Sequence, residues 1–171
     1  MKKLSIRPAT QHDAKEILRF IKALAEYEKL QDEVHATETK LIETLFPRSG
    51  KPAAEVQLAF LDETPVGFAL YFSNYSTFLA RSGVYLEDLF VDPEARGQGV
   101  GEALLRKVAS VAVERGAGRL EWSVLDWNKP AIDFYRRLGA NPMSEWTTFR
   151  VDGAALQALG SGDAMKIALM R

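Results

Sequence analysis

Two acidic residues interrupt an apolar run in the segment YLEDLFV, residues 85–91. In a regular β-strand, alternation would put Glu87 and Asp88 on opposite faces, each among apolar neighbours. Asp88 would share its face with Val84, Leu86 and Phe90, and Glu87 would share the other face with Tyr85, Leu89 and Val91. Burial of this kind raises a carboxyl pKa towards the range of a general base at neutral pH. Two structural alternatives stay open: an acid paired with an arginine, and an acid turned to water by a bulge.

A glycine motif, RGQGVG at residues 96–101, follows the acidic run and precedes an amphipathic helix pattern. A helix N-terminus offers unpaired N–H groups and partial positive charge, glycines allow a close approach, and Arg96 adds a cation. This combination favours a phosphate or pyrophosphate ligand. Two familiar phosphate loops fit poorly, because no Lys-Ser/Thr pair follows Gly101 and the spacing is G-x-G-x-G. A turn that merely caps the helix is the alternative.

A third candidate feature is the segment LDWNKPAIDFYRRLGA, residues 125–140. Asn128 can cap the helix that follows it. Tyr135 stands seven residues on, about two helical turns, so both side chains share roughly one face. A phenol with a pKa of about 10 can protonate a thiolate of similar basicity. The structural alternative is a cap followed by a core aromatic.

The elements that must position these residues follow from the hydrophobic pattern. Helices are predicted from Thr10, over residues 37–46, from Val100, after Asn128, and near the C-terminus. The predicted strands are residues 4–8, 54–62, 66–72, 84–91, 119–125 and 145–151. The order is βαα-βββ-α-β-α-β, without repeats or an obvious linker. Hairpins followed by helical crossovers predict a mixed sheet covered by helices, an α/β or α+β domain of three layers.

Composition narrows the function classes. The 171 residues carry a net charge of −1, from 22 basic and 23 acidic side chains, which does not fit a nucleic-acid partner. There is no cysteine, and the two histidines, His12 and His35, stand apart in sequence, so we expect no metal. No apolar run approaches the ~18 residues of a membrane span. We therefore predict a cytoplasmic protein without a membrane partner.

These segments together resemble the GNAT superfamily of acetyl-CoA-dependent N-acetyltransferases. The chain is most similar to the diamine (spermidine/spermine) and thialysine acetyltransferase group, through IRPAT, ILRFIKALAEYEKL, YLEDLFV and WNKPAIDFYRRLGA. The resemblance implies one GNAT domain over residues 1–171, with a mixed, mostly antiparallel twisted sheet of about seven strands. It also implies a homodimer that transfers acetyl from acetyl-CoA to a primary amine by direct attack in a ternary complex. The amine would be a polyamine, a diamine, or a thialysine-like or amino-acid-like molecule.

The resemblance also implies roles for individual residues. The coenzyme pyrophosphate would lie on the backbone of Arg96, Gly97, Gln98, Gly99, Val100 and Gly101. The pantetheine arm would pair with Leu89, Phe90 and Val91, and Asn128 would contact the coenzyme. Tyr135 would contact the coenzyme and act as the general acid at sulfur, and Glu87 would deprotonate the amine directly or through water. Asp88, Glu28 and Glu87 would face the cationic amine.

One residue departs from what a polycation site favours. Arg81 lies in SNYSTFLARSG, which we expect to border the amine site, and a substrate with its own carboxylate would tolerate it better. Two other functions remain open from the residues. One is an acetyltransferase for protein lysines or N-termini, and the other is a non-catalytic acyl-CoA-binding sensor domain.

Overall fold

The computed structural model describes residues 2–162; the tail from residue 163 lies outside them. The chain divides into two units, Met1–Ser123 and Val124–Arg171. The strands, all in the first unit, are β1 (Leu4–Pro8), β2 (Glu55–Leu61), β3 (Thr64–Ser76), β4 (Arg81–Val91) and β5 (Leu120–Trp122). Its helices are α1 (Ala14–Glu28), α2 (Glu38–Leu45) and α3 (Val100–Glu114). The second unit contributes α4 (Lys129–Arg137) and α5 (Gly153–Ser161).

The five strands form one mixed sheet in the order β1-β2-β3-β4-β5. The first four are antiparallel neighbours, and β5 pairs in parallel with β4 after the α3 crossover. The predicted mixed, mostly antiparallel sheet is confirmed. The predicted count of about seven strands is wrong for the described residues, which form five.

The predicted strand at residues 145–151 is the clearest error. This segment forms no strand, and its Trp146 and Phe149 side chains are exposed. Its aromatic and β-branched composition favours an extended chain, but a strand also needs a ladder partner. The described part of the second unit contains no strand that could supply one.

Helices cover both faces of the sheet. On one face, α1 and α2 pack on the strands through a buried cluster that includes Phe20 and Phe68, whose rings stack 5.5 Å apart. Gly67 precedes Phe68 and therefore faces the opposite side. There α3 packs, and its Leu104 side chain would touch a Cβ at Gly67 at 3.4 Å. The predicted three layers are confirmed.

A capping arrangement fixes the start of α1. Asp13 accepts hydrogen bonds from the Thr10 backbone N–H and hydroxyl at 2.8 and 2.9 Å, so the two residues form a capping box on the 3-10 turn, Gln11–Asp13, that leads into α1. Both Nη atoms of Arg7 also donate to this carboxylate at 2.8 Å, and the pair holds the pKa of Asp13 well below its usual range. Among the described residues, no helix combines the length and apolar character needed to cross a membrane.

Candidate active site

A β-bulge interrupts β4 at its acidic pair. Tyr71 on β3 pairs with Leu86, whereas the next residue back, Leu70, pairs with Asp88. Glu87 is therefore an extra residue with no partner across the ladder. Such a bulge kinks the strand locally and re-aims the side chains that follow it.

The bulge changes the faces that alternation predicts. Leu86 lies on the same face of the sheet as Tyr71. Asp88 lies on the other face, together with Leu70 and Phe90. The prediction that Leu86 and Asp88 lie on one face is therefore wrong. The predicted burial of Glu87 is also wrong, since this unpaired bulge residue is exposed.

Asp88 is the acid that the fold shields from water. Its side chain is half-buried on the face covered by α1 and α2. Burial is the main cause that raises its pKa to about 7. The negative charges of Glu87 and Glu28 also contribute to this raised pKa, and burial raises the pKa of Glu28 at the end of α1. The three predicted amine-site acids thus interact electrostatically. The described residues contain no group of three or more His, Cys, Asp or Glu side chains placed to hold a metal ion.

The backbone of β4 changes its pairing at the same point. The parallel ladder with β5 ends where Leu86 pairs with Trp122. Beyond it, Leu89, Phe90 and Val91 pair with β3 on one side, and no described strand pairs with them on the other. An open strand edge can take an extended ligand through main-chain hydrogen bonds. The residues predicted to meet the pantetheine arm lie along this edge.

The glycine loop joins the end of β4 to α3. Gly97 and Gly99 have φ angles of +73° and +80°, which non-glycine residues adopt only with strain. Gly99 is the N-cap of α3, and the first helical hydrogen bond runs from the Ala103 N–H to the Gly99 carbonyl. The amides of Val100 and Gly101 therefore precede the ladder of the helix, and such amides bind anions.

Arg96 has a more local role than the sequence suggests. Its Nε donates to the carbonyl of Val91 at 3.0 Å, and its guanidinium lies over Tyr27 and Phe90 at 4.9 and 5.7 Å from the ring centroids. These contacts brace the turn between strand and loop. The cation stays beside the predicted phosphate loop, but its geometry is set by protein groups.

Within the second unit, α4 carries the remaining two candidates. The Asn128 side chain accepts a hydrogen bond from the Ala131 N–H at 3.3 Å, which confirms the predicted cap. The residue is buried. Tyr135 is half-buried, and its ring lies at an angle to that of Phe134 with centroids 5.2 Å apart.

Sequence reasoning missed one interaction at the mouth of the loop. Arg19 on α1 binds Asp92, the residue that follows β4, with both Nη atoms at 3.0 Å. The two residues stand 73 positions apart, and no local pattern predicts such a pair.

Three features fit an acyl transfer from a nucleotide-bearing thioester to an amine. They are the open edge at the end of β4, the loop with free helix-start amides beside it, and the shielded carboxyl of Asp88. The sequence pattern of the Acetyltransferase (GNAT) family matches residues 18–140, and the chain belongs to this family. It is an N-acetyltransferase.

Two curated relatives match along nearly the whole chain. The thialysine N-epsilon-acetyltransferase of Bos taurus is 42% identical over 165 residues, covering 90% of this chain and 95% of that protein. Its counterpart in Sus scrofa is 39% identical over 176 residues, covering 93% and 98%. The L-ornithine N5-acetyltransferase NATA1 of Arabidopsis thaliana is 48% identical over 98 residues, 57% of this chain and 43% of that protein.

Solved structures have the same fold. An integron cassette protein from the mobile metagenome of V. cholerae superposes with a TM-score of 0.74 at 27% identity, over 92% of this chain and 97% of that one. An aminoglycoside acetyltransferase from an uncultured soil metagenomic sample gives 0.73 at 19% identity, over 88% and 96%. At that identity the second likeness concerns the fold alone.

Proposed function

We propose that this enzyme transfers the acetyl group of acetyl-CoA to the primary amine of a small molecule, by direct attack in a ternary complex. The observation that carries the proposal is Asp88, a carboxyl with a pKa of about 7 beside the open edge of β4. A base of this pKa suits the removal of a proton from an ammonium near neutral pH. The family match and the thialysine and ornithine acetyltransferases among the relatives support the acetyl donor and the class of amine.

Acetyl-CoA is proposed to lie along the end of β4 and across the loop. The pantetheine arm would pair with the backbone of Leu89, Phe90 and Val91, whose second edge carries no described strand. The pyrophosphate would rest on the amides of residues 97–101, where Gly97 and Gly99 leave open space around the backbone. Asn128 is the further coenzyme contact that the family resemblance implies.

The amine must lose a proton before it can attack, since an ammonium has no lone pair. The family resemblance implies Glu87 as the base. Glu87 is exposed, however, and the raised pKa belongs to its neighbour. We therefore assign proton acceptance to Asp88, and to Glu87 and Glu28 the attraction of the ammonium to the site. The neutral nitrogen then attacks the thioester carbonyl, and a backbone N–H of β4 stabilises the oxyanion.

Collapse of this intermediate breaks the carbon–sulfur bond and expels the coenzyme thiolate. Tyr135 is proposed to protonate it, giving free CoA. The nitrogen of the new amide loses its surplus proton, and Tyr135 regains one, by exchange with solvent, which leaves the neutral acetylated amine. The proton from the ammonium leaves through Asp88 to solvent. No acyl-enzyme forms in this sequence of steps.

The amine is proposed to be a diamino acid such as thialysine or ornithine, as the names of the relatives suggest. Arg81 does not bear on this choice as the sequence implied. It begins β4, six residues from Glu87, and that separation is about 20 Å along a strand. Because thialysine and ornithine are shorter than this separation, we do not assign Arg81 to the amine site.

A coupled assay of CoA release tests the proposed function. Thialysine, ornithine, lysine, putrescine, spermidine and a histone-like peptide are each supplied with acetyl-CoA, and the acetylated product is identified by mass spectrometry. We expect turnover with the diamino acids, and less or none with the peptide. Turnover of the peptide alone would favour a protein acetyltransferase, and CoA binding without any turnover would favour the sensor reading.

Three broader features are proposed with the reaction. Both units form one domain, which the family match across residues 18–140 supports. The enzyme acts as a cytoplasmic homodimer. Light scattering measures the assembly, and a monomeric mass at enzymatic concentrations would contradict it.

A further inference from the structure

We propose that Arg19 is a positioning residue for acetyl-CoA: it fixes the entrance of the glycine loop through Asp92 without touching the cosubstrate. The inference rests on the proposed placement of acetyl-CoA on this loop. Arg19 lies on α1, the helix that also carries Glu28, and Asp92 lies between β4 and the loop.

The contacts of Arg19 join three elements at one point. Its two Nη atoms donate to the two carboxylate oxygens of Asp92 at 3.0 Å each, which is a planar, bidentate pair. One Nη also donates to the carbonyl of Pro65 on β3 at 3.4 Å, and Nε donates to Glu16. The guanidinium lies 4.1 Å from the centroid of the Phe20 ring. The Arg19 side chain therefore connects helix α1 to the start of β3 and to the residue after β4.

Asp92 begins the short turn, Pro93–Ala95, that leads into the loop. Its N–H donates to the carbonyl of Val66 at 2.9 Å, and its own carbonyl accepts from the Ala95 N–H at 2.9 Å. At the far end of the loop, Val100, the first residue of α3, is buried. The exposed residues Arg96, Gly97, Gln98 and Gly99 thus lie between two buried residues, Ala95 and Val100. Asp92, which Arg19 holds, is hydrogen-bonded to the first of these, Ala95, through its backbone carbonyl.

The chemistry of the pair favours a positioning role over a stabilising one. Arg19 and Asp92 keep 43% and 25% of their side-chain surface exposed, and exposed ion pairs contribute little to unfolding free energy. The bidentate pair does, however, restrict the orientation of the Asp92 carboxylate, and preorganised loop amides bind an anion without first losing conformational entropy. Loss of the Arg19–Asp92 pair should therefore leave the fold intact and weaken the binding of acetyl-CoA.

The chain contains a matched control. Arg7 makes the same kind of bidentate pair with Asp13, at 2.8 Å, and lies 4.7 Å from the centroid of the Phe60 ring. It sits on β1, and β2 and β3 separate that strand from β4 by about 14 Å. The Arg7→Gln variant removes an equivalent surface pair far from the loop.

The experiment measures CoA binding by calorimetry, and steady-state kinetics with the best amine from the panel, for the two Gln variants and the unsubstituted enzyme. For Arg19→Gln we expect the Kd of CoA and the KM of acetyl-CoA to rise about tenfold, since small displacements of binding groups are costly. The kcat and the KM of the amine should change less than about twofold. For Arg7→Gln, all four constants should stay within about twofold, with a comparable fall in Tm.

A double-mutant cycle adds a second test. If Arg19 acts through Asp92, the combined Arg19→Gln/Asp92→Asn variant should bind CoA no more weakly than either single variant. Additive losses, equal losses in the Arg7 and Arg19 variants, or unchanged CoA binding in Arg19→Gln would each overturn the inference while leaving the proposed function standing. A failure of the unsubstituted protein to bind CoA would overturn both.

Discussion

The two halves of β4 differ in pairing, burial and chemistry, although they belong to one strand. Before the bulge, Val84 and Leu86 are buried, and the strand pairs with β3 on one side and β5 on the other. After it, Asp88 is shielded but ionisable, and the β5 ladder has ended. The first half is therefore paired on both edges. The second half keeps one edge without a described strand, which can bind a ligand, although its Phe90 still packs in the core.

One inserted residue separates these halves. Glu87 has no ladder partner, and its insertion turns Asp88 from the α3 face to the α1 face, where Glu28 lies within electrostatic reach. A regular strand would have buried Asp88 beside Leu86. The bulge thus builds a reactive segment onto a strand whose other half is structural.

The largest expected effect comes from removing the ionisable group of the second half. Asp88→Asn should lower kcat/KM for the amine by about 100- to 1,000-fold, because an amide cannot accept the proton. The matched change in the first half, Ser82→Ala, should leave kcat/KM within about twofold. Steady-state kinetics at pH 7.5 compare the two variants. Equal losses of kcat/KM would contradict the claim that only the second half of β4 takes part in the reaction.

The pH profile identifies the base within the second half. With a pKa of about 7, Asp88 must lose its proton to act, so kcat/KM should rise with pH through about 7 and then level off. Asp88→Asn should abolish this limb, and Glu87→Gln should keep it while raising the KM of the amine. Loss of the limb in Glu87→Gln alone would return the catalytic role to Glu87.

The next prediction concerns Tyr135, the proposed catalytic residue of the second unit. Tyr135→Phe should lower kcat by about 100-fold, since it removes the proposed proton donor. The Kd of CoA should stay within about twofold. Stopped-flow kinetics and calorimetry separate these quantities, and near-normal turnover would remove Tyr135 from the mechanism.

A smaller effect is expected in the loop that continues the second half. Gly97→Ala and Gly99→Ala each force a side chain into the left-handed region, at a cost of about 1–2 kcal/mol in unfolding free energy. Gly50→Ala is the control, with a φ of +85° and open space around its Cβ position. All three should lose similar stability in urea, but only the loop variants should bind CoA more weakly. Weaker CoA binding by Gly50→Ala as well would attribute the loss to stability alone.

The smallest effect is on stability. Because the folded-state pKa of Asp88 lies above its usual value, the folded protein retains a proton that the unfolded chain has released. Stability should therefore fall as pH rises from about 4 to about 7. Asp88→Asn should raise Tm by a few degrees at pH 8 and change it little at pH 4. A lower Tm at pH 8 would mean that the charged form is stabilised in the fold.

Sequence predicts the parts of this fold that depend on local patterns. The Thr10–Asp13 and Asn128 caps, the apolar stripe of α3 and the glycine motif are each encoded within a few neighbouring residues. The bulge at Glu87 and the Arg19–Asp92 pair depend on register and on contacts distant in sequence, so alternation alone misassigned the acids. The wrong strand prediction for residues 145–151 has a similar cause, because strand propensity does not show whether a neighbouring strand is present to pair with.

The measurement that tests the central claim most directly is a crystal structure of the enzyme with CoA. We predict pantetheine amides hydrogen-bonded to the backbone of β4 beyond Leu86, on the side where the β5 ladder has ended. The diphosphate should lie on the amides of residues 97–101. CoA bound elsewhere, or a β4 edge filled by protein in the complex, would contradict the assignment of the second half of β4 as the reaction face.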